Sequence, residues 1–128
     1  SKGNKELSLI FYQKGIEVDS DNFSLLKSTL LLQLELNRFQ EAKKISQTSL
    51  ELFPAQPVLY LLNAVANNNL QDFKAAINAL ETGLDYLFDN TGLEKDFYEQ
   101  LAVAYTGIGN TIKAANFAKK AAEILDSN

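Results

Sequence analysis

The chain has 128 residues, of which 46% are hydrophobic and 22% charged, a balance that fits one globular domain and not a disordered segment. Its net charge of −4 lacks the basic surplus with which a nucleic-acid binder displaces counterions, and it gains nothing at an anionic membrane surface. With no Cys and no His, the chain cannot itself build thiolate or imidazole metal sites, a Cys nucleophile or a Ser–His–Asp triad.

Six Gly and two Pro are few for a many-stranded β fold, so the regular segments are expected to be long helices. No apolar run approaches the ~18 residues of a membrane span, and no signal-peptide pattern is visible. The chain begins at Ser1 and contains no Met, as a processed chain or an expressed fragment would. Cytoplasmic and exported cell-envelope locations both suit this composition.

In chain order, residues 3–22 open with Gly3-Asn4-Lys5-Glu6-Leu7-Ser8 and predict one helix. Leu25 to Leu36 predicts a second. The turn Asn37-Arg38 leads into a third, on which Ala42, Ile45, Ser49 and Leu52 share a face at helical spacing. Pro54 closes this stretch. Pro57 suits the first turn of the next helix, where a missing N–H costs little, and that helix is expected to carry Leu59 to Leu70. The turn Gln71-Asp72 leads into a fifth helix, with Ala76, Leu80, Gly83 and Leu87 on one face. It is expected to run on towards Phe88, followed by a longer turn and a four-residue excess at Thr91-Gly92-Leu93-Glu94. The last pair is Phe97 to Ile108 and, after Gly109-Asn110, a helix with Ala114, Ala118, Ala121 and Leu125 on one face, ending near Leu125.

Three segments repeat: Arg38-Phe39-Gln40-Glu41-Ala42-Lys43, Asp72-Phe73-Lys74-Ala75-Ala76-Ile77 and Asn110-Thr111-Ile112-Lys113-Ala114-Ala115. They stand 34 and 38 residues apart, and a weaker copy begins at Gly3-Asn4. Each follows one helix and opens another. Asn and Gly in the turns tolerate the left-handed conformation, and Asp or Asn can cap the helix that follows.

These residues resemble the tetratricopeptide repeat family. Ala42 and Pro54 match its pattern in residues 23–56; Tyr60, Ala64, Phe73 and Ala76 match in 57–94; Tyr98, Leu101, Ala102, Tyr105, Gly109, Ala114 and Ala121 match in 95–128. Residues 3–22 look like helix B of an incomplete repeat. Thr29 and Asn63 stand where the family usually has Leu, and Gln33 and Asn67 where it often has Tyr. Either these helices bury hydrogen-bonded polar groups, or the register of helix A is shifted by one. Extended helices with an Asp89-Asn90 turn also resemble bacterial repeat proteins of Bacteroidetes.

The resemblance implies an all-α, right-handed solenoid of about seven helices, a single repeat domain over 1–128. It implies a non-catalytic protein- or peptide-binding module within a larger protein, with no cofactor and no metal. The A helices would line a concave groove. Its candidates are Lys27, Leu31, Leu34 and Glu35, then Leu61, Val65, Asn68 and Asn69, then Asp96, Glu99, Val103 and Thr106. An apolar floor with an acidic end suits a peptide with apolar anchors and basic residues. The family's carboxylate clamp is excluded by sign. Lys27 matches its first Lys, but Leu31 and Leu62 replace its Asn positions, and Asp96 and Glu99 would repel a carboxylate.

The alternative reading is a structural spacer that self-associates. The C-terminal helix has no polar capping helix after it, and Ala115, Phe117, Ala118, Ala122 and Leu125 would form an apolar strip for another repeat or another copy. An RNA-binding helical repeat fits the acidic balance poorly.

Other constellations have plainer explanations. Gly107-Ile108-Gly109 reads as a helix–helix turn, not a phosphate loop, because no third Gly follows and no strand precedes. Asp85 and Asp89, four apart, read as a solvated acidic face. Lys43-Lys44 and Lys119-Lys120 read as exposed charge pairs. Asn67-Asn68-Asn69 reads as a helix end with groove-facing amides as the rival. Tyr60, Phe73, Tyr86, Phe97, Tyr98, Tyr105 and Phe117 read mostly as core and not as a base-stacking platform.

Overall fold

A computed structural model describes residues 1–125. Within them the chain forms seven α-helices and no strand. These are α1 (Lys2–Val18), α2 (Phe23–Glu35), α3 (Phe39–Leu52), α4 (Pro57–Asn69), α5 (Phe73–Leu84), α6 (Thr91–Gly107) and α7 (Thr111–Glu123). Consecutive helices pack as antiparallel hairpins. In addition α4 packs on α2, and α6 packs on α4. The A helices α2, α4 and α6 therefore form one layer. The B helices α1, α3, α5 and α7 form the other, each packed on A helices and not on one another. This is an α-solenoid, in which every repeat buries a face that it cannot cover alone.

The hairpin turns are built alike. Asn37, Gln71 and Gly109 all have positive φ (59°, 63° and 81°). After each, the next N–H reaches back over a full turn: Arg38 to Gln33 O at 2.8 Å, Asp72 to Asn67 O at 2.8 Å and Asn110 to Tyr105 O at 2.9 Å. These are Schellman closures, and they satisfy carbonyls at the A-helix ends. After two of the three turns the next helix starts on a side-chain cap, with Asp72 Oδ1 accepting from Ala75 N and Asn110 Oδ1 from Lys113 N, whereas Arg38 makes no such bond before α3. Gln71 is the poorly matched member of the series, because a Cβ is strained at its φ. Gln71→Gly is therefore expected to raise stability by about 0.5–1 kcal/mol, read as a higher midpoint in denaturant.

Small residues let the layers meet. Ala42, Ala76 and Ala114, at matching positions of the B helices, are all buried. One core cluster unites Ala64, Ala76 and Leu80 with Phe97, Leu101 and Ala104. A second unites Leu30, Ala42, Leu59, Leu62 and Ala66. Of the residues expected to share the B-helix faces, Leu52, Ala118 and Leu125 are exposed, Ala118 because it lines an open groove between α6 and α7. Leu52 is the last residue of α3, and Leu125 lies beyond the end of α7 at Glu123, so neither faces a neighbouring A helix. Positions 126–128 of the last repeat lie outside the described residues.

The out-of-pattern polar residues Thr29, Gln33, Asn63 and Asn67 are all buried, and three of them are hydrogen-bonded as the first of the two alternatives expects, while Gln33 Oε1 is buried without a partner. Thr29 donates to Leu25 O at 2.8 Å. Asn63 donates to Ser46 Oγ at 2.9 Å, and Asn67 donates to Asn63 Oδ1 at 2.8 Å. The amides thus form a buried ladder between α3 and α4 in which every amide nitrogen is paired and Asn67 Oδ1 is left without a partner, a cost that the packing around it must offset.

The expected extension of the fifth helix does not occur. α5 ends at Leu84, where Asp85, Tyr86 and Leu87 donate to Thr82, Gly83 and Leu84 in tighter i→i+3 bonds. Tyr86 then stacks on Tyr60 with ring centroids 5.8 Å apart. Burial, and secondarily the neighbouring Tyr86, raise the Tyr60 hydroxyl above its usual 10.0. The four extra residues form the first turn of α6 instead. α6 has 17 residues against 13 in α2 and α4, and Asn90 Oδ1 caps it by accepting from Leu93 N at 3.0 Å. Leu93 packs onto the core cluster, which holds this turn in place. Asp89, at φ 51°, lies in the linker and shares no helix face with Asp85.

Candidate protein-binding groove

The A-helix layer carries a cavity of about 430 Å³ between α4 and α6, lined by Leu61, Val65, Asp96, Glu99, Gln100 and Val103. Five of these six are sequence-predicted groove residues. They come together because α6 lies against α4, and residues 96, 99, 100 and 103 of α6 share one helical face. Leu61 is buried in the core cluster and forms the floor. Val65 is half-buried, and Val103, Asp96 and Glu99 are exposed. The groove is therefore apolar at its base and doubly anionic along its α6 wall.

Gln100 is the residue that the sequence reading missed. It lines the groove and accepts from Asn68 Nδ2 at its backbone O (3.1 Å) and at Oε1 (2.9 Å). Its spacing from Asp96 and Val103, four and three residues, already puts it on their face. Asn68 is consequently buried between α4 and α6, where its amide nitrogen serves the solenoid and does not face the groove. Asn69 is exposed and donates to Val65 O at 2.8 Å.

The remaining candidates lie apart. Lys27 is half-buried and Leu31 exposed on α2, outside the lining of this cavity. Leu34 packs against the core cluster of the first repeats. Glu35 is exposed and forms an ion pair with Lys5 of α1 at 2.8 Å, away from this cavity. Thr106 lines a separate groove at the C-terminal end, between α6 and α7. Among the described residues no group of three or more His, Cys, Asp or Glu side chains is placed to hold a metal ion, and no helix is long and apolar enough to cross a membrane.

The fold is similar to that of MamA. One MamA crystal structure superposes with a TM-score of 0.84 at 21% identity, covering 96% of this chain and 70% of its own. MamA from Desulfovibrio magneticus RS-1, from residue 41 to its end, superposes with a TM-score of 0.82 at 16% identity, covering 95% of this chain and 67% of its own. MamA from AMB-1 gives 0.79 at 19% identity, over 93% and 68%. MamA is a tetratricopeptide-like helical solenoid, so the likeness carries the fold class. No family model matches this sequence, and no curated protein is significantly similar to it. The three MamA chains are longer than this one, and all of them span nearly the whole of it.

Proposed function

We propose that this chain is a non-catalytic protein-interaction module whose α4–α6 groove holds a helical or extended peptide segment of another protein. The supporting observation is the groove itself. Leu61, Val65 and Val103 offer an apolar seat, and Asp96 and Glu99 flank it with negative charge. An apolar anchor flanked by Lys or Arg satisfies both features. The solenoid fold shared with MamA is consistent with such a role, since stacked hairpins create extended binding surfaces.

The test is affinity capture from lysate with the unaltered chain beside a Val65→Glu, Glu99→Lys form. Leu61 is left intact because it is 7% exposed in the core, and a charge there would unfold the module. Val65 and Glu99 are accessible, so the altered bait keeps its fold, checked by its helical circular dichroism. A partner retained by the unaltered chain alone, and released as salt rises, is the expected result. Equal capture by both baits contradicts the proposal.

A further inference from the structure

Between α5 and α7, on the B-helix side of the stack, lies a cleft of about 490 Å³ with Tyr105 of α6 at its base. Such clefts follow from the fold. Successive B helices pack on A helices and not on one another, so a gap is left between them. The same cleft occurs one repeat earlier, between α3 and α5 above α4, and it stays open although a further hairpin follows it.

The two clefts differ in their lining. Shifted by 38 residues, Lys113 stands where the earlier cleft has Ala75, Phe117 where it has Ala79, and Lys120 where it has Thr82. At the base, Tyr105 stands where the earlier cleft has Asn67. One repeat of the solenoid closes without these rings and ammonium groups, so packing alone does not require them in the next.

The later cleft holds them as an array. The Phe117 ring stacks on Tyr105 with centroids 5.7 Å apart and on Tyr98 at 5.9 Å. Lys113 Nζ lies 5.3 Å from the Tyr105 centroid and Lys120 Nζ 5.4 Å from that of Phe117, so the ring faces hold both ammonium groups at the cleft. Lys119 adds a third cation to the lining. None of the three forms an ion pair among the described residues, whereas Lys43, which lines the earlier cleft, pairs with Asp72 at 3.7 Å. In a chain of net charge −4, three unneutralised cations beside a half-buried ring make a local seat for an anion. The rest of the lining narrows its class. Glu81 and Glu123 repel a bare anion but accept from hydroxyl or amine donors, and the Asn116 amide both donates and accepts. A ligand that meets every one of these groups carries phosphate, a flat ring and hydrogen-bond donors.

We propose that the α5–α7 cleft binds a nucleoside phosphate. The phosphates meet Lys113, Lys119 and Lys120 as point charges, the base lies against the Phe117 ring, and sugar hydroxyls or a base amine donate to Glu81 and Glu123. The cleft volume falls within the roughly 300–1,000 Å³ of small-molecule sites. The site lies on the layer opposite the α4–α6 groove, so the two proposals fail independently.

The experiment is calorimetric titration of the unaltered chain with adenosine triphosphate, no metal added, with backbone amide shifts to locate the contact. Binding is expected, weakening as salt rises, with the largest shifts on Lys113, Asn116, Phe117 and Lys120. Inorganic triphosphate and adenosine should each bind at least about tenfold more weakly, because each meets only part of the lining. A Lys113→Gln, Lys120→Gln form, altered at two exposed sites, should lose about tenfold for adenosine triphosphate. Phe117→Leu should lose a similar factor for adenosine triphosphate and keep its affinity for inorganic triphosphate, which also shows that this form is folded. Val65→Glu, in the other layer, should change nothing. Absence of binding at millimolar concentration overturns the proposal. So does equal affinity for inorganic triphosphate, which reduces the cleft to a patch of charge, or undiminished binding by the lysine variant.

Discussion

Replacing Phe97 by Ala is expected to cost about 3–5 kcal/mol of unfolding free energy, the range for deleting a buried ring. Phe97 is fully buried and belongs to the core cluster that joins α4, α5 and α6. Its ring is one of the largest fully buried side chains among the described residues. Small domains have only about 5–15 kcal/mol in total, so this single loss consumes a large part of the margin. Solenoid stability is transmitted between neighbours, and α6 joins the last hairpin to the rest. Urea unfolding monitored by circular dichroism checks the loss. A shift below about 1 kcal/mol would mean that α6 does not sit in the α4–α5 seat.

Gly83→Val is the second large effect, at about 3 kcal/mol of destabilisation, the upper end of the common range for overpacking because the new side chain is branched. Intrinsic propensity argues the other way, since a helical Gly is worse than Ala by up to about 1 kcal/mol, and by less in the last turn of α5 where Gly83 stands. Geometry decides between them. A Cβ on Gly83 would stand 2.6 Å from Tyr60 Cβ and 2.7 Å from Phe97 Cε1. Neither neighbour can yield, because one atom adjoins the α4 backbone and the other belongs to a fully buried ring. Gly83→Ala is therefore also expected to destabilise. Gly3→Ala provides the contrast, since its Cβ would meet only Ser1 Oγ at 4.0 Å and propensity should prevail there. If Gly83→Ala and Gly3→Ala both stabilise in denaturant titration, the close approach of α4, α5 and α6 is wrong.

What the sequence disclosed and what it hid divide along the range of the interactions involved. The A helices were expected at 25–36 and 59–70 and occur at Phe23–Glu35 and Pro57–Asn69. Their ends depend on local chemistry: Asn37, Gln71 and Gly109 for the left-handed turn, and Pro57 for a first turn. The extra turn of α6 was harder to place. The 38-residue spacing announces four additional residues but not which helix takes them. The choice rests on the tight end of α5 and on Leu93 reaching the core, both of them tertiary facts.

The groove shows the same division. Helical periodicity put Asp96, Glu99 and Val103 on one face, opposite Leu61 and Val65, and the structure joins them. Periodicity could not show that Glu35 is paired with Lys5, or that Asn68 is buried against Gln100. Those outcomes depend on how closely α1 lies to α2, and α4 to α6, and therefore on side chains distant in sequence. Asn63 reads as a departure from the repeat pattern because its partner, Ser46, sits on another helix, and Asn67 in turn bonds Asn63 one turn away on the same helix.

The central claim is that the α4–α6 groove is a protein-binding surface. Its most direct test is to select a peptide from a random library on the immobilised chain, then map its contacts by backbone amide chemical shifts in solution. The expected peptide carries apolar anchors and basic residues. The largest shifts should fall on Val65, Asp96, Glu99, Gln100 and Val103, with affinity falling as ionic strength rises. Shifts confined to the opposite layer, around Tyr60, Asn78 and Thr82, would contradict it.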